Sequence, residues 1–309
     1  MARRKTSGRD LTGMLIVDKP SGISSNRVLQ ITKRLFQANK AGHTGTLDPL
    51  ASGVLPVCLG EATKLSTYLL DADKRYQVTC KLGIATNSGD SDGEVIGEKA
   101  LPDFNETSLT ALLKDFSGEQ TQIPPMFSAL KHQGQPLYKL ARQGVEVERK
   151  ARQITIYDLQ LLAVSTDSFT LDVSCSKGTY IRTLVQDIAA AMGSCGHVTM
   201  LRRTAAAGYD LTQAIALDEL ENLAEQQDLT LLDKTLLPAA EALPDWPLIA
   251  LNSQQSRQLY FGQPVQYSTT EYSGNIRLLD ETGAFTGLAQ IDIDGVITAK
   301  RLFVRSETQ

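Results

Sequence analysis

Four cysteines and three histidines are all that this 309-residue chain offers for thiol or imidazole metal ligation. Cys58, Cys80, Cys175 and Cys195 stand far apart with no CxxC pair, and His43, His132 and His197 make no HxxxH or HxH spacing. A zinc site and a disulfide scaffold are therefore not expected, and the thiols read more simply as small buried hydrophobes. Long apolar runs are lacking too. After the basic MARRKTSGRD, the apolar run before Asp18 is only MLIV, too short for a signal-peptide core or a membrane span, so a cytoplasmic location is the expectation. The acidic run SGDSDGE (88–94) lacks a calcium loop's spacing: counting from Asp90, Val95 stands where the turn glycine belongs and Leu101 where the bidentate glutamate belongs. Asp90 and Asp92 then read as turn residues, or as a second carboxylate for an arginine.

What is present is the composition of a folded protein, 42% hydrophobic and 21% charged. The net charge of −4 is unevenly spread. Residues 209–309 hold 6 Lys and Arg against 15 Asp and Glu, leaving 25 against 20 for residues 1–208. A basic face on the first two thirds fits a phosphate-binding surface.

Along the chain, MLIVDKP predicts a buried strand, and SSNRVLQITKRLF a helix capped by Ser24 or Ser25 with Val28, Ile31 and Leu35 on one face. GEATKLSTYLL predicts a second, shorter helix. Between them lies AGHTGTLDPLASGVL, where Gly42, Gly45, Pro49 and Gly53 predict irregular chain over most of the stretch. RYQVTCKLG (75–83) and SFTLDVSC (168–175) alternate as half-buried strands, with Tyr76, Val78, Cys80 and Leu82 sharing one face. YIRTLVQDIAAAM carries the helical stripe Ile181, Leu184, Val185, Ile188 and Met192. Strands and helices mixed without a βαβ rhythm predict an α+β domain over 1–250, with helices flanking a mixed, largely antiparallel sheet. The acidic, Leu-rich stretch 210–240 reads as helical. From Leu251 to 309 short alternating runs between turn residues predict a small β-barrel.

Several residues carry candidate chemistry. Asp48 sits among apolar neighbours in its Gly-rich loop, and a carboxylate in such surroundings needs water, a cation or backbone donors. Arg182 falls in the first turn of a helix, where the macrodipole disfavours a cation, so it wants a carboxylate or a phosphate partner; an exposed arginine on a helix face is the plainer alternative. Tyr76 reads either as a core aromatic or as a ring lining a pocket. His43 is either a loop residue or a ring suited to stacking on a base. The segment 123–152 sets six Lys and Arg, among them Lys131, Arg142 and Arg149, against two acidic residues, with Phe127 and Tyr138 interleaved. It reads as an RNA-gripping arm or as a solvated helix.

GHTGTLDPLASG, RYQVTCKLG, KGTYIRTL and HVTMLRR, in this order, resemble the bacterial tRNA pseudouridine-55 synthases, and the resemblance runs from GMLIVDKPSGISS to a C-terminal segment similar to PUA-type RNA-binding domains. It implies that the uridine at position 55 in the tRNA T loop is isomerised to pseudouridine without cofactor or metal. It implies catalytic roles for Asp48, Tyr76 and Arg182, with Arg182 as the counter-charge of Asp48 and Asp90 as a second acid on that arginine. It places Lys19 and Leu201 at the pocket wall and Tyr180 and Arg202 in substrate binding. It also implies that His43 fills the space left by a flipped base, and that Lys64, Lys131 and Arg142 bind tRNA. A monomer acting without guide RNA or membrane is the corresponding expectation. The guide-RNA-dependent rRNA pseudouridine synthases, which share the GTLDP and KGTYIRT motifs but have a shorter segment at 123–152, are the runner-up enzyme; a tRNA-binding protein without catalysis and a base-exchanging transglycosylase are the other competing readings, and the transglycosylase would normally bring a zinc site.

Overall fold

The computed structural model describes residues 8–268 and 272–303, so most of the basic N-terminal run lies outside the described residues. Strand β1 (Gly13–Lys19) is buried along nearly its whole length. Helix α1 (Ser25–Leu35) starts where the Ser24 hydroxyl accepts from the Arg27 N–H, and buries Val28 and Ile31. The next stretch is less irregular than its glycines and prolines suggest. Ala41–His43 forms β2 and Ser52–Leu59 forms β3, the latter buried from Gly53 onward despite Pro56. Gly53 is required there: it adopts φ +104°, and a Cβ would stand 2.1 Å from the Arg203 carbonyl oxygen where two strands meet. Irregular chain is left only around Asp48.

A 3₁₀ turn (Gly60–Leu65) and helix α2 (Ser66–Leu70) form the predicted short helix. Strand β4 (Lys74–Leu82) buries Tyr76, Val78, Cys80 and Leu82 on one face, as its alternation predicts. A hairpin of β5 (Ile84–Thr86) and β6 (Val95–Glu98) follows, then α3 (Glu106–Leu113) and β7 (Gly118–Gln122). The arm carries a small hairpin, β8 (Lys131–His132) with β9 (Gln135–Pro136), and helix α4 (Leu137–Ala141). Strands β10 (Arg152–Val164) and β11 (Ser168–Cys175) lead to helix α5 (Ile181–Ala191) and strand β12 (Gly196–Ala206). Short strands β13 (Tyr209–Asp210) and β14 (Ile215–Ala216) and helices α6 (Leu217–Glu225) and α7 (Leu229–Asp233) complete the large unit.

Ten strands make its sheet, in the order β14-β1-β3-β12-β4-β11-β10-β7, with β2 on β3 and β13 on β12. Only the β1–β14 and β3–β12 pairings are parallel, which makes the sheet mixed and largely antiparallel. Apolar clusters lie on its two faces: on one, the cluster of Tyr76, Leu171, Ile188 and Leu201 packs under α5 and α3 beside that of Leu15, Val17, Val28 and Leu220 under α1 and α6, and on the other lies the cluster of Met14, Ile16, Val54 and Cys58.

The C-terminal unit contains β15 (Leu248–Ala250), α8 (Ser253–Tyr260), β16 (Val265–Gln266), β17 (Gly274–Leu279), β18 (Phe285–Ile291) and β19 (Val296–Leu302). Its strands run β15-β17-β18-β19-β16, and among the described residues the two end strands do not pair, so the sheet is a curled half-barrel. It joins the large unit through apolar contacts. Leu288 and Phe285 cluster with Met14, Cys58 and Trp246, and Trp246 meets Tyr68 edge-on with centroids 5.1 Å apart. Arg277 donates to the carbonyls of Ala240, Pro244 and Trp246, fixing the connecting segment.

Candidate active site

The loop from Thr44 to Ala51 has no ladder partners of its own, so its backbone needs other ones. Arg203 donates to the Gly45 carbonyl at 3.1 Å. The buried Ser25 hydroxyl accepts from the Leu47 N–H and donates to the Leu47 carbonyl. The Asp48 carbonyl takes the Ala51 N–H, that of Pro49 takes the Gly22 N–H and the Lys19 ammonium, and that of Leu50 takes the Ser21 hydroxyl. A loop held at nearly every residue presents one side chain in one orientation, and that side chain is Asp48.

Asp48 meets Arg182 as the chemistry of the first helical turn demanded. The Arg182 Nε stands 2.9 Å from Asp48 Oδ2, and its Nη1 lies 3.5 Å from Asp90 Oδ2. The remaining N–H groups donate to the Ser88 and Phe127 carbonyls, each at 2.6 Å. Arg182 is 5% exposed, which rules out the plainer reading of an exposed helix-face arginine. Asp90 is buried as well, and its Oδ1 accepts from Ser88 and from the Asp92 N–H. One guanidinium therefore joins the Asp48 loop, the 88–90 turn and the base of the arm. Helix α5 has no side-chain cap at Tyr180; instead Gln122 bonds both the N–H and the carbonyl of Tyr180, and Arg152 lies over its ring at 5.6 Å.

These groups open into a cavity of about 960 Å³ lined by His43, Asp48, Asp90, Ser128, Tyr138 and Arg142, among others. About a third of the Asp48 side chain (36%) faces that space, and the rest is covered by protein. Burial accordingly pushes the Asp48 pKa above the ordinary carboxylate value; Arg182 pulls it back, Asp90 pushes it up again, and Lys19 pulls it down. Lys19 is fully buried with its ammonium donating to the carbonyls of Pro20, Ile23 and Pro49, and burial lowers its pKa to about 8. Burial also lowers the His43 pKa, and among the described residues the buried His43 Nδ1 has no hydrogen-bond partner.

Tyr76 and Leu201 lie in the apolar layer with Leu47 and Ala51, directly beneath the Asp48 loop. The Tyr76 pKa is raised, chiefly by burial. Lys131 stands exposed on the arm's hairpin, and Arg142 reaches the cavity with its guanidinium 5.8 Å from the Tyr138 ring centroid. Two of the expected tRNA contacts are placed otherwise. Lys64 lies away from the cavity, bonded to Glu61 and to the Leu302 carbonyl at 2.7 Å, where it ties the two units together. Arg202 makes a two-pronged pair with Asp18 at 2.6 and 3.2 Å and also reaches Ser52. Both residues make protein partners here while 25% of the Lys64 side chain and 33% of the Arg202 side chain stay exposed. Arg149 likewise bonds Glu146 and the Pro124 carbonyl.

Sequence reasoning missed Arg203 and Ser25. Arg203 is 1% exposed, although arginine is rarely so buried, and the only sequence signal was the doubled arginine of HVTMLRR. Ser25 was weighed only as a helix cap. Among the described residues, no group of three or more His, Cys, Asp or Glu is placed to hold a metal ion, and no helix is long and apolar enough to cross a membrane.

Comparison with known proteins gives the same outline over the whole chain. Residues 33–181 match the model of the TruB family pseudouridylate synthase N-terminal domain, residues 182–244 that of the tRNA pseudouridylate synthase B C-terminal domain, and residues 247–303 that of the pseudouridine synthase II TruB C-terminal region. A tRNA pseudouridine synthase B of Pasteurella multocida (strain Pm70) is 51% identical over 307 residues, covering 99% of this chain and 100% of the relative. One of Nitrosococcus oceani is 49% identical over 300 residues, covering 97% of each. In fold, the chain resembles one from a Cbf5-Nop10-Gar1 complex, with a TM-score of 0.71 at 23% identity, over 94% of this chain and 85% of that one. A chain of an H/ACA RNP bound to a substrate RNA gives a TM-score of 0.72 at 20% identity, over 99% and 92%. Identity of this order along the full length, through the loop that presents Asp48 and the helix that presents Arg182, places the chain in the TruB family of pseudouridylate synthases.

Proposed function

We propose that the chain isomerises the uridine at position 55 in the T loop of tRNA to pseudouridine, with Asp48 as the group that starts the reaction and with no cofactor, no guide RNA and a single copy of the chain. The observation that carries this reading is the Asp48–Arg182 ion pair lining a cavity of about 960 Å³, ample for an extruded nucleotide and its neighbours. Relatives about 50% identical over their full length are named as synthases acting on tRNA, and the same motif set supports the T-loop position.

The isomerisation breaks the N1–C1′ bond, turns the uracil and joins C5 to C1′. One proton leaves C5 and one is gained at N1. Asp48 in its ionised form serves either as a nucleophile at C1′ or as a base toward the ribose, and Arg182 aims it for both. Burial raises the carboxylate's proton affinity and so strengthens it as a base, while Arg182 keeps it ionised. Tyr76, beneath the loop, takes the proton from C5. His43, whose Nδ1 has no protein partner, occupies the place of the flipped base. Lys131 and Arg142 on the arm contact tRNA phosphates. Lys19 holds the Pro49 carbonyl and adds a positive charge beside Asp48.

The test is tritium release from C5 of uridine-labelled tRNA transcript, with no metal or guide RNA added. Release by the wild type and none by Asp48→Asn, at nearly equal tRNA affinity, is the expected result. No release by the wild type with tRNA still bound would overturn the reading in favour of a binding protein.

A further inference from the structure

Arg203 is among the largest fully buried side chains, and among the described residues it forms no ion pair. A buried guanidinium without a carboxylate is expensive, so its donors must be satisfied by other groups. Its Nε donates to the Val54 carbonyl at 2.7 Å and its Nη2 to the Gly45 carbonyl at 3.1 Å. Gly45 itself leaves room for it: φ is +89°, and a Cβ there would stand 3.3 Å from the Arg203 Nη1. On the other side, Arg203 on β12 is paired across the ladder with Tyr76 on β4. Cross-strand partners share a face, so the Arg203 and Tyr76 side chains lie side by side on one face of the sheet, with the Arg203 guanidinium bonded to the turn that enters the Asp48 loop.

We propose that Arg203 is a positioning residue for the proton-removal step: it holds the phenol of Tyr76 under the Asp48 loop and stabilises the phenolate that takes the proton from C5. This rests on the reading of Tyr76 given above. Once C5 is bonded to C1′, the C5–H bond breaks and its electrons return to the uracil ring. The proton passes to the Tyr76 oxygen, N1 takes a proton from solvent, and Tyr76 returns its proton to solvent, so no proton is gained or lost overall. The apolar layer around Tyr76 opposes a phenolate. Arg203 counters that opposition by charge and by a side-chain hydrogen-bonding interaction, the two influences that pull the Tyr76 pKa down against burial. Other groups acting on the phenol are Cys175 and Asp48, and both push the other way.

The experiment compares wild type, Arg203→Lys, Arg203→Gln and Tyr76→Phe in single turnover on tRNA carrying protium or deuterium at uridine C5, with the Tyr76 pKa followed by NMR of ring-labelled tyrosine. Arg203→Gln is expected to lose roughly tenfold to a hundredfold in rate, to gain an isotope effect larger than the wild type's, and to show Tyr76 titrating at higher pH. Arg203→Lys, which keeps the charge, should recover part of all three while tRNA affinity stays unchanged. A slow Arg203→Gln enzyme with the wild-type isotope effect and an unmoved Tyr76 titration would overturn the proposal and leave Arg203 as a structural prop. If Arg203→Gln does not fold, an Arg203→Lys enzyme with wild-type isotope effect and titration overturns it equally. Full activity in Tyr76→Phe would instead remove the reading of Tyr76 on which the proposal stands.

Discussion

Replacing Arg182 by lysine keeps the charge and removes the shape, and the structure says what the shape is for. The guanidinium addresses Asp48 Oδ2, the Ser88 carbonyl and the Phe127 carbonyl from three different nitrogens of one plane, with Asp90 alongside. A lysine offers three donors radiating from one atom and cannot span those positions together. Suppose the ammonium settles against the two buried carbonyls and Asp90. The Asp48 carboxylate then loses a charge-assisted bond worth about 1.5–3 kcal/mol, which at about 1.36 kcal/mol per tenfold is a rate loss of roughly 10- to 150-fold. Suppose instead that it follows Asp48. Then a buried carbonyl goes unpaired at about 1–3 kcal/mol, and the loss is seen as lower stability. Single-turnover tritium release read beside thermal unfolding separates the two, and tRNA affinity should be unchanged in either case. An enzyme within about twofold of wild type in rate and also equal in stability would refute the argument that the Asp48 pairing matters.

Three further outcomes follow from the same geometry. Because burial raises the Asp48 pKa in the folded protein, its contribution to stability is present below the ordinary carboxylate range and is lost as pH rises through the raised value; Asp48→Asn should therefore unfold at a higher temperature than wild type at pH 7 and lose that advantage in acid, and a lower melting temperature at pH 7 would count against this. Lys19, lowered to about 8, holds its proton more weakly folded than unfolded, so stability should rise with pH above about 8 while the rate falls as the charge beside Asp48 disappears; Lys19→Met should have a lower but flat rate across that window, and a persisting alkaline limb would assign it to another group. Neutralising Lys131 and Arg142 together should weaken tRNA binding and reduce the slope of log affinity against log salt by up to about 1.5; an unchanged slope would return the arm to a solvated surface.

How far the sequence alone reveals this site depends on whether a residue's role is local. The strand of Tyr76 and the helix of Arg182 are legible because alternation and the 3.6-residue stripe are short-range signals, and Arg182's need for an anion follows from its place in a first turn. Strand β3 is not legible, because its glycine and proline argue for a loop until β12 is known to lie beside it: Gly53 is there for the Arg203 backbone, 150 residues away. The same applies to the charges. Lys64 and Arg202 look available in a basic context, but Leu302 and Asp18, which bind them, are brought up only by the fold. Nothing local distinguishes Arg203 from Arg202, and strand alternation alone sends one to Asp18 and the other inward to Gly45 and the Tyr76 side of the sheet. Catalytic geometry in this chain is thus assembled by long-range pairing around one short loop. Its arginines can be told apart only by the face of β12 or the turn of α5 on which each one falls.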